Sequence, residues 1–572
     1  MKTLTMWGIR LGTTCQPLAG VAPWRATSPA VRSAGVAVRG ASSSHRATPR
    51  RFSVYATAVS QETKVGKAEV GKGGVKVRFA PSPTGNLHVG GARTALFNWL
   101  LAKNLGGEMV LRVEDTDKSR STKESEEAVI EDLKWLGITW SEGPDVGGEN
   151  GPYRQSERTD LYKKYVDDLV ERKLAYPCFC TDEELKKMKE EAEAKKLPPV
   201  YRGPWGSASK EKVDEMLASG TPHCYRFRVP KDELITVKDA IRGEVTWNTD
   251  TLGDFVILRS NGLPVYNFCV AVDDALMGIT HVMRAEEHLP NTLRQLLIYR
   301  ALGFKEPVFG HMSLILAPDK SKLSKRHGAT SVGEFREQGY LAEAMLNYLS
   351  LLGWNDGTEQ EIYTVEELQE KFSVDRVTKS GAVFDKTKLS WMNGQHLRAL
   401  PEETSLEFIS KALVKAGIVT TTGGPFVNGA ISLVKDSVDI VTDAPPKVEA
   451  ILSYPLTDTL ASEAAAPFIE DNLKEVAEAI VAAYDSGDLQ AALEDDAAGF
   501  GKWLKGVGKG MKRKGKRLFM PARIILTGRM QGPDIGKVCA LLGSESGELA
   551  TGVTMVKLED RIQAVRDWLA TQ

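Results

Sequence analysis

The chain has 572 residues, and its 74 Lys and Arg nearly balance its 75 Asp and Glu. That length exceeds what one hydrophobic core organises, so several domains are expected. The near-zero balance excludes capture of nucleic acid by net charge, six Cys in so long a chain exclude a disulfide scaffold, and no stretch approaches the ~20 apolar residues of a membrane span.

Residues 1–61 contain no Asp or Glu and eight basic residues, Lys2, Arg10, Arg25, Arg32, Arg39, Arg46, Arg50 and Arg51, among many Ser, Thr, Ala and Val. This acid-poor composition reads as an organelle transit peptide over residues 1–60, with a disordered basic tail as the alternative. Ser53-Val54-Tyr55-Ala56 offers a small-residue processing site. Ser, Ala and Val outweigh any Arg-lined amphipathic helix, which points to the plastid (chloroplast) stroma; the mitochondrion or dual delivery stays open. Without this segment 66 basic residues face 75 acidic ones, so a nucleic-acid partner must be met by local basic patches. Residues 57–74 form a Gly/Lys/Glu linker.

The pattern predicts a strand at Val75–Phe79, then a turn, FAPSPTGNLHVGG, then a helix from Ala92 to Leu101. Strand, glycine turn and helix point free backbone N–H groups at a phosphate. Gly90 and Gly91 permit close approach, and His88 adds a donor at the helix start. Strands and helices alternate to about Arg172, the pattern of a parallel α/β sheet, with an amphipathic helix at Glu124–Leu136 whose apolar side is Ala128, Val129, Leu133 and Leu136. Residues 173–262 look inserted, with a charged helix (Asp182–Lys196), a break at Pro198-Pro199, and strands at His223–Val229 and Phe255–Leu258. Residues 263–310 resume the α/β pattern. The segment Asp319-Lys320-Ser321-Lys322-Leu323-Ser324-Lys325-Arg326-His327-Gly328 is a lysine-dense loop, a solvated face when taken alone. Beside a phosphate-binding helix start it reads as a cationic clamp for a leaving pyrophosphate. From about residue 396 the periodicity is helical, with breaks at Gly423-Gly424-Pro425 and Pro445-Pro446.

At this point the two loops resemble the signature motifs of the class I aminoacyl-tRNA synthetases. His88-Val89-Gly90-Gly91 is similar to their HIGH motif and Lys322-Leu323-Ser324-Lys325-Arg326 to their KMSKS motif. Gly91 stands where the general motif has His, a departure matching the glutamyl-tRNA synthetase branch, whose form is PSPTGxLHxGGARTAL. Arg112-Val113-Glu114-Asp115-Thr116-Asp117, Pro264-Val265-Tyr266-Asn267-Phe268, Val272-Asp273-Asp274 and Arg284-Ala285-Glu286-Glu287-His288 agree with it. The resemblance runs from Val75 to the C-terminus and thins beyond about Arg398.

The implied fold is α/β: a split Rossmann-type catalytic domain (75–172 and 263–310) with an α+β acceptor-stem-binding insertion (173–262). A KMSKS loop and stem-contact region (311–395) and an all-α anticodon-binding region (396–572) follow. The implied activity is ATP-dependent formation of glutamyl-adenylate from L-glutamate, with release of pyrophosphate, then transfer to the 2′-hydroxyl of the terminal adenosine of tRNA(Glu). The resemblance makes Arg78, Ala80, Ser82, Glu114, Tyr266 and Arg284 glutamate contacts. Arginine forks suit the carboxylates and Glu114 the ammonium. It places His88, Gly90, Gly91, Glu287, Lys322 and Lys325 around ATP, with His88, Lys322 and Lys325 catalytic, and it implies Mg²⁺ with the nucleotide. Asp115 and Asp117 read as helix caps.

Some relatives carry zinc on two Cys, a Tyr and a third Cys. Here Cys178, Cys180 and Tyr201 match, but Trp205 stands at the fourth place, so zinc is not expected; His223 and Cys224 lie in a strand pattern. Lys502–Arg517 carries eight Lys and Arg, a solvated face or a contact for tRNA phosphates. The stretch Leu433–Val438 lacks the Arg with which stricter relatives reject glutamine tRNA, so use of tRNA(Gln) as well is expected. A monomer without membrane attachment is expected. Glutaminyl-tRNA synthetase and a catalytically silent tRNA-binding paralogue are the alternatives. The helical C-terminal pattern argues against the first, and the intact motifs against the second.

Overall fold

The computed structural model describes residues 74–572, except residues 118, 199 and 495 and the side chains of residues 325 and 496–498. The expected transit peptide lies outside the described residues. Strand β1 (Lys76–Phe79) is followed by helix α1 (Val89–Leu105) and strand β2 (Glu108–Leu111). β1 and β2 are parallel, with Arg78 beside Val110. Val77, Arg78 and Phe79 are all buried, as a strand covered on both faces requires. α1 is apolar nearly all round; Leu96, Phe97 and Leu100 are fully buried, each contributing about 1.5–3 kcal/mol of transfer free energy. It ends at Gly106, whose left-handed φ of 64° suits a residue without Cβ. α2 (Lys123–Trp135) begins at the Thr122 cap and buries Val129 and Leu133, the face expected from its spacing. α3 (Thr159–Glu171) leads into the inserted segment.

That segment holds β3 (Ala175–Cys178), α4 (Asp182–Ala194), α5 (Lys210–Ala218), β4 (Cys224–Phe227), β5 (Leu234–Asp239), β6 (Gly243–Asn248) and β7 (Phe255–Leu258). β3, β4 and β7 form one antiparallel sheet, and β5 and β6 a separate hairpin. The hairpin is absent from the sequence expectation. Its inward positions alternate correctly, Ile235, Val237 and Asp239, but the last is a buried acid, which disguises the pattern.

The chain then returns through α6 (Tyr266–Leu276), β8 (His281–Ala285), α7 (Leu289–Leu302) and β9 (Val308–Met312), with β8 and β9 parallel. β1 lies beside β8, where Thr280 N–H donates to the Lys76 carbonyl at 2.8 Å. The strands from both sides of the insertion therefore stand together in the order β2, β1, β8, β9, as the expected α/β class requires. β10 (Ile315–Leu316) precedes the lysine loop. After it come α8 (Val332–Glu337), α9 (Ala342–Leu351), α10 (Val365–Lys371), β11 (Ala382–Val383, parallel to β10) and α11 (Lys386–Ala399). From α12 (Glu402–Lys415) to Ala570 the described elements are helical. Pro425 opens α13 (Pro425–Val434). Pro445 and Pro446 sit in the first turn of α14 (Ala444–Leu452), so they start a helix and do not interrupt one.

Candidate active site

The glycine turn is held against the sheet by backbone pairing. Arg112 N–H donates to the Phe79 carbonyl and Glu114 N–H to the Pro81 carbonyl, both at 3.0 Å. Glu114 therefore runs alongside the turn that follows Arg78. His88 is the N-cap of α1: its Nδ1 accepts the Gly90 N–H at 3.1 Å. An accepting Nδ1 places the imidazole proton on Nε2. No acidic residue lies in the first turn of α1, so the helix itself places no negative charge at its positive end. A Cβ on Gly91 would stand 3.2 Å from Leu87 Cδ1, so packing restricts this place as well as the motif.

The segment that directly follows the lysine loop is knitted onto this helix start. Val89 N–H donates to the Thr330 carbonyl and Val332 N–H to the Leu87 carbonyl, each at 2.9 Å, and His88 pairs with Ser331. The two segments that carry the motifs are thus neighbours. Lys322 Nζ donates to Glu287 at 2.6 Å, both side chains being largely exposed; the two residues expected around ATP meet each other here. Lys325 opens a short helical turn to His327, and its side chain lies outside the described residues.

Four of the expected glutamate contacts converge beneath the turn. Tyr266 opens α6 and its hydroxyl lies 3.3 Å from His288 Nδ1. Burial and then the Glu114 charge push the Tyr266 hydroxyl up to about 12, while Arg284 and Arg78 pull it back, so the other three charges all reach this hydroxyl. Arg78 Nε donates to both Asp274 oxygens at 3.1 and 3.2 Å. Arg284 donates through Nε to His311 and through Nη2 to Thr292, while its Nη1 is buried without a protein partner. An orphaned guanidinium nitrogen beside a second arginine is what an arriving carboxylate would satisfy. Burial raises the Glu114 carboxyl to about 7 against the pull of Arg112 and Arg78. Ala80 is half-buried and Ser82 exposed on the turn.

Sequence reasoning assigned no role to the residues that hold this group in place. Arg112 is completely buried and donates to Asp274 at 2.6 Å and to Glu114 at 3.4 Å. Asp273 accepts from Arg158 at 2.7 Å, from Tyr162 at 2.8 Å and from Gln155 at 2.9 Å. The signal was available: two adjacent acids interrupt the apolar run Cys269-Val270-Ala271-Val272 of α6, a pattern that demands buried partners. Asp115 does not cap a helix of its own; it accepts from Ser156 N and Oγ at 2.8 and 2.5 Å. Asp117 accepts from Ser119, and Thr122 is the cap of α2.

In the insertion, the Tyr201 hydroxyl lies 3.3 Å from Cys178 Sγ and 3.5 Å from Cys180 Sγ, and Trp205 packs its ring on Phe179. Of the basic run Lys502–Arg517, Arg513 is buried on Asp471 and Glu475, and Arg517 also pairs with Asp471. Arg513 is thereby a structural residue, while Lys502, Lys505, Lys509, Lys512, Lys514 and Lys516 remain exposed. Lys435, in the stretch expected near the anticodon, pairs with Glu402 at 2.9 Å.

Residues 74–391 match the family described as tRNA synthetases class I (E and Q), catalytic domain, and residues 396–547 match the anticodon binding domain. A glutamate–tRNA ligase of Carboxydothermus hydrogenoformans is 46% identical over 487 residues, covering 83% of this chain and 98% of that protein. One from Natranaerobius thermophilus is 44% identical over 474 residues, covering 82% and 96%. The crystal structure of a glutamate tRNA ligase from Elizabethkingia meningosepticum, in complex with its amino acid, superposes with a TM-score of 0.74 at 33% identity, over 87% of this chain and 99% of that one. With its motif segments joined by backbone hydrogen bonds and these relatives covered over 96% or more of their own length, the chain belongs to the class I tRNA synthetases of the glutamate and glutamine type, among the glutamate–tRNA ligases.

Proposed function

We propose that the chain joins L-glutamate to tRNA(Glu) by way of glutamyl-adenylate, with the pocket of Arg78, Glu114, Tyr266 and Arg284 as the amino-acid site. The observation that carries this reading is the convergence of two guanidiniums, one with a buried unpartnered nitrogen, and one carboxylate beneath the turn that ends at His88. The arginines hold carboxylate oxygens, Glu114 holds the ammonium, and Ala80 and Ser82 line the turn. His88, Gly90 and Gly91 meet the ATP phosphates at the start of α1, where the Gly90 N–H is already held by His88 Nδ1, with Glu287 toward the nucleoside. The α-carboxylate of glutamate attacks the α-phosphorus, and the bond to pyrophosphate breaks. Lys322 and Lys325 neutralise the charge on the departing group, which requires Lys322 to leave Glu287. The terminal 2′-hydroxyl then attacks the acyl carbon and AMP leaves. No protein nucleophile is needed; positioning and charge stabilisation supply the rate. Among the described residues no three His, Cys, Asp or Glu side chains are grouped for a metal ion. Mg²⁺ is therefore proposed to arrive on the ATP phosphates, whose oxygens suit it.

A tRNA-dependent pyrophosphate-exchange assay, run with glutamate and with glutamine, tests the reading. Exchange with glutamate alone is expected; exchange with neither amino acid would end it. The absence of Arg from Leu433-Val434-Lys435-Asp436-Ser437-Val438 supports charging of tRNA(Gln) as well, and failure to glutamylate purified tRNA(Gln) removes that part. The acid-free, Ser- and Arg-rich first 61 residues support delivery to the plastid stroma, checked by the destination of a fluorescent fusion of residues 1–70. A monomer is proposed on the sequence reading, and light scattering decides it.

A further inference from the structure

The β5–β6 hairpin belongs to the inserted segment, yet its tip grips β9. Ala240 N–H donates to the Phe309 carbonyl at 2.8 Å, and Arg242 Nε donates to the His311 carbonyl at 2.9 Å. At the end of β5, Asp239 is buried with one oxygen 2.5 Å from His311 Nδ1. Its other oxygen accepts the backbone N–H groups of Ile241, Arg242 and His311 at 2.9, 2.7 and 3.2 Å. The opposite ring nitrogen, His311 Nε2, lies 3.1 Å from Arg284 Nε and 3.1 Å from Thr292 Oγ1. Arginine has donors only, so Nε2 must present its lone pair and the proton must sit on Nδ1, donated to Asp239. The contact itself fixes the tautomer. The surroundings agree. Burial keeps His311 neutral, and although burial also pushes Asp239 up, hydrogen bonds from His311, Arg242 and Ile241 hold it below the usual carboxylate range. The three groups Asp239, His311 and Arg284 stand in series, all buried, on β5, β9 and β8. Nothing in the adenylation chemistry above uses the first two.

We propose that Asp239 and His311 are positioning residues for substrate glutamate: the carboxylate orients the imidazole, and Nε2 of the imidazole holds the Arg284 guanidinium so that its unpartnered Nη1 is left for a substrate carboxylate. The proposal rests on the assignment of Arg284 to glutamate. It gives the hairpin of the insertion a direct hand on the amino-acid pocket.

Aminoacylation by the full enzyme, with glutamate and ATP varied separately, tests it, alongside a thermal melt. His311→Asn keeps a group where Nδ1 stands and removes the acceptor at Nε2. It is expected to raise KM for glutamate about tenfold, the worth of one hydrogen bond to a charged group, while KM for ATP and kcat stay within about twofold. His311→Gln extends an amide oxygen to the Nε2 position and is expected to restore most of the loss. Asp239→Asn, an isostere, invites its amide to donate to Nδ1 and turns an Nε2–H against Arg284, so it is expected to act in the same direction as His311→Asn. Equal effects on glutamate and ATP, or no rescue by Gln, would reduce the pair to a structural role and overturn the proposal. Arg284→Ala separates the layers. If it raises KM for glutamate while the Asp239 and His311 variants do not, only the relay fails. If Arg284→Ala leaves that KM unchanged, the assignment of the pocket itself fails.

Discussion

The floor of the proposed amino-acid pocket and the lysine loop use the same two kinds of charge in opposite ways. In the floor, Arg78, Arg112, Asp273 and Asp274 are almost completely buried; Asp274 accepts from both arginines and Asp273 pairs with Arg112 at 3.8 Å. On the loop, Lys322 and Glu287 form one exposed pair, with side chains 63% and 46% accessible. A buried pair cannot be opened without stranding a charge, so it fixes geometry. An exposed pair is worth about 0–1 kcal/mol and exchanges freely, so its lysine is available for charge that appears only during reaction. The proposed roles divide in the same way: recognition of glutamate falls to rigid elements and stabilisation of the leaving group to a surface segment.

The sharpest way to break this comparison is Asp274→Ala, which leaves the buried Arg78 and Arg112 without their shared partner. It is expected to destabilise by about 3–5 kcal/mol in urea unfolding; a loss near that of an exposed pair would show that the floor is not one unit. Next come Lys322→Ala and Lys325→Ala, each expected to slow pyrophosphate exchange about 10²–10³-fold with KM for glutamate within about twofold. A raised KM with unchanged turnover would move these lysines into ground-state binding.

A smaller effect concerns pH. Burial, against the pull of Arg112, sets Glu114 at about 7, and in its proposed role only its ionised form attracts the substrate ammonium. KM for glutamate is therefore expected to climb as pH falls below about 7, approaching tenfold per unit. Glu114→Gln should flatten that limb at a uniformly higher KM. The sign for folding is the reverse. A folded value above the unfolded carboxylate's favours the protonated native state, so this residue's contribution to stability declines as pH rises from about 4.5 to 7. A KM independent of pH between 6 and 8 would remove Glu114 from the ammonium. The smallest expected effect is that of Glu287→Gln on stability, under about 1 kcal/mol and lost at high salt.

Most of the architecture was legible because it follows periodicity and punctuation. β7 occupies the expected residues Phe255–Leu258, α2 buries the expected Val129 and Leu133, and Gly424-Pro425 marks a helix start. The hairpin β5–β6 was not legible, since its apolar alternation ends on the buried Asp239, whose partner His311 lies on a distant strand. Pro445-Pro446 read as a break, although proline is tolerated in the first turn of a helix, where its missing N–H has no intrahelical partner. At the site, Arg78, Glu114, Tyr266 and Arg284 were named from the motifs. Asp274, Arg112, Asp239 and His311 were not assigned, because a buried charge becomes intelligible only with its counter-charge in view.

By itself the sequence determined the class of fold and the chemistry on offer. The turn Phe79–Gly91 and the loop Asp319–Gly328 are local strings whose residues carry their own geometry: a strand, a cap, a helix start and a row of cations. Tertiary structure decided how those strings become one site. The backbone bonds from Val89 to Thr330 and from Val332 to Leu87 anchor the end of the lysine segment beside the glycine turn. The order β2, β1, β8, β9 brings Arg78 and Arg284 under one turn. The orientation of each arginine depends on Asp274 and on His311, groups supplied by α6 and β9. Burial raises the cost of every unpaired charge, and only the folded chain says which partner answers it.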